Sequence, residues 1–144
     1  MRSDLEQASR SLHSVAIHLL RNLRVQDSAL GIGPSQLSAL SVIVFRGSAS
    51  LHELAKTEQI RAPTMSRIVD ALVEAGMVKR EVNKKDRRSI TISPTAKGVR
   101  VMREGRRRRE MRLTEILTPL SREEIRLIGK ASELLSKALQ ATSQ

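Results

Sequence analysis

Two groups of polar side chains have the residue types and the spacing to bind a polyanion. The first group begins at Pro63, which suits the first turn of a helix, and carries Thr64, Ser66 and Arg67 on the polar side of an apolar repeat. The hydroxyl groups can hydrogen-bond to bases or phosphates, and the guanidinium of Arg67 can bind O6 and N7 of one guanine together. This stretch is therefore predicted to be a helix that reads a DNA major groove.

A polar, basic segment between two alternating stretches forms the second group. Val78, Arg80 and Val82 alternate with polar residues, and so do Ile90 and Ile92, as in strands. Residues 83–89 between them have the composition of a hairpin tip, called the wing below. Cations on such a tip can follow phosphates or enter the minor groove. We expect Asp86, which lies among them, to bond inside the loop or to a neighbouring arginine and thereby to orient Arg88. The wing cations are Lys84, Lys85, Arg87 and Arg88.

Helices ahead of the wing are predicted from the apolar periodicity. It indicates one helix over residues 4–25, a second over 34–47 and two short helices within 51–76 that are joined by a tight turn. The two short helices have complementary apolar faces, as a helix-turn-helix requires. These faces consist of Leu51, Leu54 and Ala55 on one helix and Met65, Ile68, Val69 and Leu72 on the other.

After the wing, the pattern becomes helical again. Residues 93–95 are predicted to start a long helix that ends near Pro119, and a capping box at 121–124 is predicted to start a last helix. The first and last helices carry broad apolar stripes, which indicates that they pack against another subunit. The predicted fold class is mostly α with a small β-hairpin wing, a winged helix-turn-helix embedded in a helical dimerisation framework.

The charge composition favours a nucleic-acid partner over catalysis. Lysine and arginine exceed the acidic residues by 26 − 15 = 11 in a chain of 144 residues, and Phe45 is the one aromatic residue. With no cysteine and three histidines, neither a disulfide nor a metal centre is expected. No nucleophile with a base and no pair of carboxylates emerges as a motif, so we expect no enzyme and no cofactor.

The distribution of apolar residues predicts a protein without a membrane segment. Residues 1–8 are polar and lack the features of a secretory signal, and no apolar run reaches the roughly 18 residues that a membrane span needs. The expected location is the cytoplasm, and no membrane partner is expected.

Four segments together resemble the MarR family, the multiple-antibiotic-resistance type of bacterial regulator. They are residues 51–55, 63–72, 76–80 and the Asp86-Arg87-Arg88 signature of the wing. The resemblance runs nearly end to end. It implies a homodimer on a pseudo-palindromic DNA operator, with Arg88 in the minor groove.

The resemblance also implies how the chain is divided by function. Residues 1–30 would form an N-terminal dimerisation helix, 34–93 the winged DNA-binding domain and 94–144 the C-terminal helices that complete the dimer interface. Relatives often bind a small phenolic or anionic ligand in a cleft between the dimer helices and the winged domain. His18, on the first helix, is a candidate to line that cleft.

The predicted function is that of a sequence-specific regulator of transcription, a repressor that occupies promoter DNA and is released by an anionic or apolar small molecule. The alternative is a basic RNA- or ribosome-associated helical protein, since charge alone does not choose between polyanions. Sequence-specific RNA readers usually stack bases on aromatic side chains, which are nearly absent here.

Four consecutive arginines, Arg106–Arg109, lie within the predicted long helix. On a helix, four consecutive side chains point all the way round the axis, and the run begins roughly 16 Å along the helix from Thr95. Glu104 and Arg108 are four residues apart, the spacing of an ordinary surface ion pair. We therefore predict a solvated stretch and not a major DNA contact.

Overall fold

The computed structural model describes residues 1–142 and contains six α-helices, a short 3₁₀ helix and three strands within that range. The helices of the first half agree closely with their predicted extents. The elements are α1 (Arg2–Asp27), the 3₁₀ helix (Ser28–Leu30), α2 (Pro34–Arg46), β1 (Ala49–Ser50), α3 (Leu51–Thr57), α4 (Ala62–Glu74), β2 (Val78–Val82), β3 (Ile90–Pro94), α5 (Ala96–Leu117) and α6 (Arg122–Thr142).

A compact apolar core joins α2, α3, α4 and the sheet. The predicted inner faces of α3 and α4 supply much of it, with Leu51 and Ile68 half-buried at its edge. Burying a side chain of this kind contributes about 1.5–3 kcal/mol, so this core holds α4 at a fixed angle. The fully buried large side chains are Leu40, Ile43, Leu54, Met65, Val69, Leu72 and Ile92.

The sheet has three antiparallel strands in the order β1-β3-β2, one strand more than the sequence predicts. Ala49 lies opposite Ile92 and Ser50 opposite Thr91, so β1 covers one edge of the hairpin. Only two residues form this strand, which is too short to show an alternation. Ser50 also caps α3, since its hydroxyl accepts the N–H of Glu53 at 3.1 Å, and the cap is the stronger sequence signal.

The start of the long helix α5 differs from its prediction. Pro94 does not open the helix but ends β3, where it lies opposite Val78 of β2. At that position β3 has no neighbour on the β1 side, so the missing N–H of proline breaks no ladder there. Thr95 caps α5 instead, because its hydroxyl accepts the N–H of Gly98 at 3.1 Å and donates to the carbonyl of Gly76 at 2.6 Å.

The turn that leads from α4 into the wing depends on two glycines. Gly76 follows α4 with φ +73°, in the left-handed region where a glycine commonly ends a helix. Gly98 of α5 lies so close to the residue after Gly76 that an added Cβ would be 2.1 Å from the carbonyl oxygen of Met77. Only a residue without a side chain lets α5 approach the beginning of β2 in this way.

The described chain falls into two compact units, Met1–Arg109 and a second one that starts at Glu110. This grouping does not test the predicted division by function into 1–30, 34–93 and 94–144. In the second unit, the predicted capping box begins α6, with the N–H of Ser121 donating to Glu124 at 2.8 Å. That bond lowers the pKa of the Glu124 carboxyl.

Within residues 1–142, no single helix is long and apolar enough to cross a membrane. The stretch from α1 through the 3₁₀ helix meets the length and composition test only together with α2, as a pair bent by 86°. Three side chains of α2 from this pair are buried in the core described above.

Replacing Gly98 by alanine should destabilise the first unit, because the new Cβ would force the backbone of Met77 to move. The expected loss in the free energy of unfolding is about 1–3 kcal/mol, the usual cost of overpacking. Thermal unfolding followed by circular dichroism measures it. Gly129→Ala is the matched control, since no atom lies within 4 Å of that added Cβ, and it should not lower Tm. Equal Tm values for the two variants would contradict the close approach of α5.

Candidate nucleic-acid interface

The exposed side of α4 carries the first group of predicted site residues. Met65, Val69 and Leu72 are buried, which turns the opposite side of the helix towards solvent. Pro63, Thr64 and Arg67 are exposed there, and Ser66 is half-buried. Pro63 lies in the first turn, as predicted, where its missing N–H breaks no helical bond.

Two residues that were not predicted to belong to the site connect α4 to β2, the strand that leads into the wing. The guanidinium of Arg80, on β2, binds the carboxylate of Asp70 on α4 at 2.6 Å, and its other contact is the carbonyl oxygen of Ser66 at 3.5 Å. The sequence indicates Asp70 as an outward residue of the helix and Arg80 as part of an alternating strand. Nothing in the local sequence pairs them, because the contact depends on how the hairpin returns to the helix.

The wing is closed by hydrogen bonds of its own backbone. The N–H of Asn83 donates to Ser89 at 2.9 Å, and that of Ser89 donates to the carbonyl of Asp86 at 3.0 Å. The Asp86 carboxylate accepts the backbone N–H of Arg88 at 3.1 Å, so it bonds inside the loop, the first of the two arrangements expected. It fixes the backbone at Arg88 rather than the guanidinium. The role of Asp86 in orienting Arg88 towards DNA stays a prediction.

Five cations in this region are available to an external anion. Arg67 on α4 and the four wing cations Lys84, Lys85, Arg87 and Arg88 are exposed. Within residues 1–142 none of the five forms an ion pair with a carboxylate of the chain. Because Arg80 ties the strand of the wing to α4, these cations belong to one winged-helix body.

The arginine run differs in that three of its arginines bind acidic side chains. Glu104 accepts hydrogen bonds from Arg107 at 2.9 Å and from Arg108 at 2.8 Å. The bonds from Arg107 first and Arg108 second lower the pKa of the Glu104 carboxyl to about 2. Arg109 binds Asp27, at the end of α1, at 2.5 Å. The run also begins about 15 Å along α5 from Ala96, at 1.5 Å per residue.

Two cavities flank α5 within the first unit. One, of about 620 Å³, lies between α2 and α5 and is lined by Phe45, Met102 and arginines that include Arg106. The other, of about 690 Å³, is bounded by α1, α2 and α5. Arg109 lines both cavities and its partner Asp27 lines the second. His18 is exposed on α1 and lies outside both linings, so its assignment to a ligand cleft stays a prediction.

Among residues 1–142, no three histidine, aspartate or glutamate side chains come together as metal ligands would. The exposed side chains of α4 and the wing can donate hydrogen bonds to an anion and attract it by their positive charge.

Comparisons with known proteins match these elements. A family model described as the MarR family matches residues 32–90, which contain α2, β1, α3, α4 and β2. The uncharacterized HTH-type transcriptional regulator Mb0904 of Mycobacterium bovis is 32% identical over 133 residues, 92% of this chain and 92% of that protein. The HTH-type transcriptional repressor MdtR of Bacillus subtilis is 26% identical over 140 residues, 96% of this chain and 86% of that protein.

Solved structures share the whole fold. A MarR family protein from Bacillus stearothermophilus has a TM-score of 0.83 at 22% identity, over 97% of this chain and 98% of that one. A variant of Staphylococcus aureus MepR bound to an oligodeoxyribonucleotide has a TM-score of 0.73 at 19% identity, over 91% of this chain and 97% of that one. These likenesses confirm the predicted winged helix-turn-helix fold.

The difference between the wing cations and the arginine run predicts different salt dependence of DNA binding. Replacing Arg87 and Arg88 by glutamine should reduce the log–log salt slope by about 0.9 for each phosphate that a subunit no longer neutralises. Replacing Arg107 and Arg108 removes the same charge and should change the slope far less, because both guanidinium groups are already bound to Glu104. Fluorescence anisotropy of one labelled duplex across a salt series measures both variants. Equal decreases in slope would show that DNA reaches the arginine run.

Proposed function

This chain belongs to the MarR family of transcriptional regulators, and on that premise we propose that it binds duplex DNA sequence-specifically and represses transcription by occupying promoter sites. It is a DNA-binding regulator and not an enzyme. The relatives named above are bacterial, and bacterial DNA lies in the cytoplasm, so we also propose a cytoplasmic location.

One observation carries the proposal of sequence-specific binding. The side of α4 that faces solvent presents Thr64 and Arg67, while the wing on the same winged-helix body presents four cations that form no ion pair within residues 1–142. A helix of this kind fits a major groove, where an arginine can identify guanine, and the wing can follow the adjacent backbone. Arg67 is proposed to read a base, Lys84 and Lys85 to meet phosphates, and Arg88 to enter the minor groove.

Repression is proposed because occupancy of a promoter needs no further contact surface. The name of MdtR, a repressor, supports the same direction of control.

A homodimer is proposed from two helices that have no buried residue. Neither α1 nor α6 contains a buried residue, although both are amphipathic and longer than 20 residues. On α6, Leu127 is 70% exposed and Leu134 is 57% exposed. Apolar stripes of this length are seldom left in water, and a second copy of the chain would bury them and create a two-fold axis for a pseudo-palindromic operator.

The cavities beside α5 support a proposed effector, a small apolar anion. Their walls are mostly apolar, and Arg109 lies between them, bound to Asp27. An anionic ligand would compete with Asp27 for this guanidinium and so disturb the link between the end of α1 and α5. A thermal-shift series with aromatic carboxylates would report such binding, and no shift with any of them would count against it.

Removing the Arg67 side chain tests the proposed base contact. Duplexes are first selected from a random pool by the wild-type protein, which also reports the half-site spacing. Arg67→Ala should then cost about 1–3 kcal/mol per half-site and relax the sequence preference. Lys84→Ala is the control, because removing a cation that meets only phosphate should weaken all sequences alike and flatten the salt dependence.

Two results would contradict this function. If Arg67→Ala changed neither affinity nor preference, α4 would lie on DNA in another register. If the pool gave no enriched duplex while structured RNA bound equally well, the alternative of a basic RNA- or ribosome-associated protein would be favoured.

The dimer is tested by placing charge on the apolar stripe of α6. Leu127→Glu with Leu134→Glu should produce monomers, because both side chains are exposed in one chain but would be buried between two. Ser136→Glu with Gln140→Glu adds the same charge to the opposite side of the helix and should leave the dimer intact. Analytical ultracentrifugation at micromolar concentration measures the mass. A monomeric wild-type protein with its helical circular dichroism intact would exclude the dimer.

A further inference from the structure

The ion pair between Arg80 and Asp70 lies at the surface that is proposed to face DNA. Its oxygen–nitrogen distance is 2.6 Å, and the two side chains are 36% and 57% exposed. An exposed ion pair of this kind contributes little to stability, since water and salt screen it. The ion pair matters mainly because it occupies the carboxylate of Asp70 and leaves other guanidinium groups available.

Asp70 has a second arginine within reach on its own helix. Arg67 lies three positions earlier, and residues three apart on a helix are neighbours on its surface. Within residues 1–142, however, Arg67 forms no ion pair, and Asp70 is bound to Arg80 instead. The guanidinium from β2 thus occupies the carboxylate for which Arg67 would otherwise compete.

Because Asp70 binds Arg80, the guanidinium of Arg67 stays available to bind a base. An arginine identifies guanine by two hydrogen bonds in one plane, and a guanidinium already bound to a carboxylate has fewer donors to offer in that geometry. An unpaired carboxylate on the same face would in addition repel the phosphates. By binding Asp70, Arg80 prevents both the loss of Arg67 donors and the repulsion of phosphates, and it needs no contact with a base to do so.

We propose that Arg80 is a positioning residue that determines sequence specificity by holding Asp70 away from Arg67. The proposal rests on the proposed function, because it requires that Arg67 reads a base. The competing interpretation is that Arg80 simply binds a phosphate. The two interpretations differ in what happens when Asp70 loses its charge.

The experiment compares four variants on a selected duplex and on a scrambled one. They are Arg80→Gln, Asp70→Asn, the double variant, and the control Lys79→Gln, which removes a cation from the same strand. Lys79 binds Glu81 at 2.7 Å, a partner on its own strand. Anisotropy titrations across a salt series give the ratio of the two Kd values and the salt slope of each.

Arg80→Gln should lower the ratio of specific to scrambled affinity by at least about fivefold per half-site, the lower limit for removing a bidentate bond to a base. The double variant should recover most of that ratio, because Asp70→Asn leaves no carboxylate for Arg67 to bind. Asp70→Asn alone should keep the ratio, since a released Arg80 strengthens binding to both duplexes. Lys79→Gln should leave the ratio unchanged.

Several outcomes would overturn the proposal. Equal decreases in affinity for both duplexes after Arg80→Gln, with a flatter salt slope and no recovery in the double variant, would make Arg80 a phosphate contact. An unchanged ratio after Arg80→Gln would show that Asp70 does not compete for Arg67. Arg67→Ala serves as the reference, because if it too leaves the ratio unchanged, it is the proposed base contact that fails.

Loss of folding is separated from loss of specificity by a second substitution. Arg80→Met keeps the aliphatic part of the side chain and removes only the charged end. Both Arg80 variants should retain the wild-type circular dichroism spectrum. Should Arg80→Gln unfold, the same ratios are measured on Arg80→Met and on its double variant with Asp70→Asn, and recovery or its absence decides the question in the same way.

Discussion

Burial of one side of α4 is the constraint on which the rest of the candidate site depends. Met65, Val69 and Leu72 are fully buried, so the helix cannot rotate without exposing them. Removing one such side chain from a core costs about 2–5 kcal/mol, far more than any surface contact of the same helix contributes. The orientation of Arg67 is therefore set by apolar packing, and its chemistry follows from that orientation.

Whether an arginine of this chain is available to an anion depends on its ion-pair partner and not on how many arginines lie beside it. Arg107 and Arg108 share Glu104, Arg109 binds Asp27, and Arg80 binds Asp70. With 26 basic and 15 acidic residues, the chain cannot pair all its cations, and in the described part those of the wing form no ion pair. A run of four arginines looks like the strongest polyanion site in the sequence, yet its ion pairs make it the weaker candidate.

Local patterns predicted the local structure well. Apolar periodicity located the helices, the Ser121 capping box located the start of α6, and Gly76 marked the end of α4. Errors arose where a long-range contact decided the outcome. β1 exists only because β3 lies beside it, and Pro94 ends a strand because Val78 lies opposite.

The parts of the site that the sequence did not predict have the same origin, since Asp70 and Arg80 meet across a helix and a strand and no spacing rule applies to them. The i,i+4 pair of Glu104 and Arg108, by contrast, was predicted and is confirmed.

A net charge of +11 gives this chain an attraction to any duplex, whatever its sequence. Sequence specificity must therefore come from groups whose contribution to the binding free energy differs between sequences. Their contribution is added to a large electrostatic one that is the same for every duplex. If a base-reading arginine binds a carboxylate instead, the protein therefore loses more sequence specificity than overall affinity for DNA. An acidic residue on the proposed recognition surface is then tolerable only if another cation binds it. Arg80 of β2 is such a cation, and the apolar core already fixes the position of its strand.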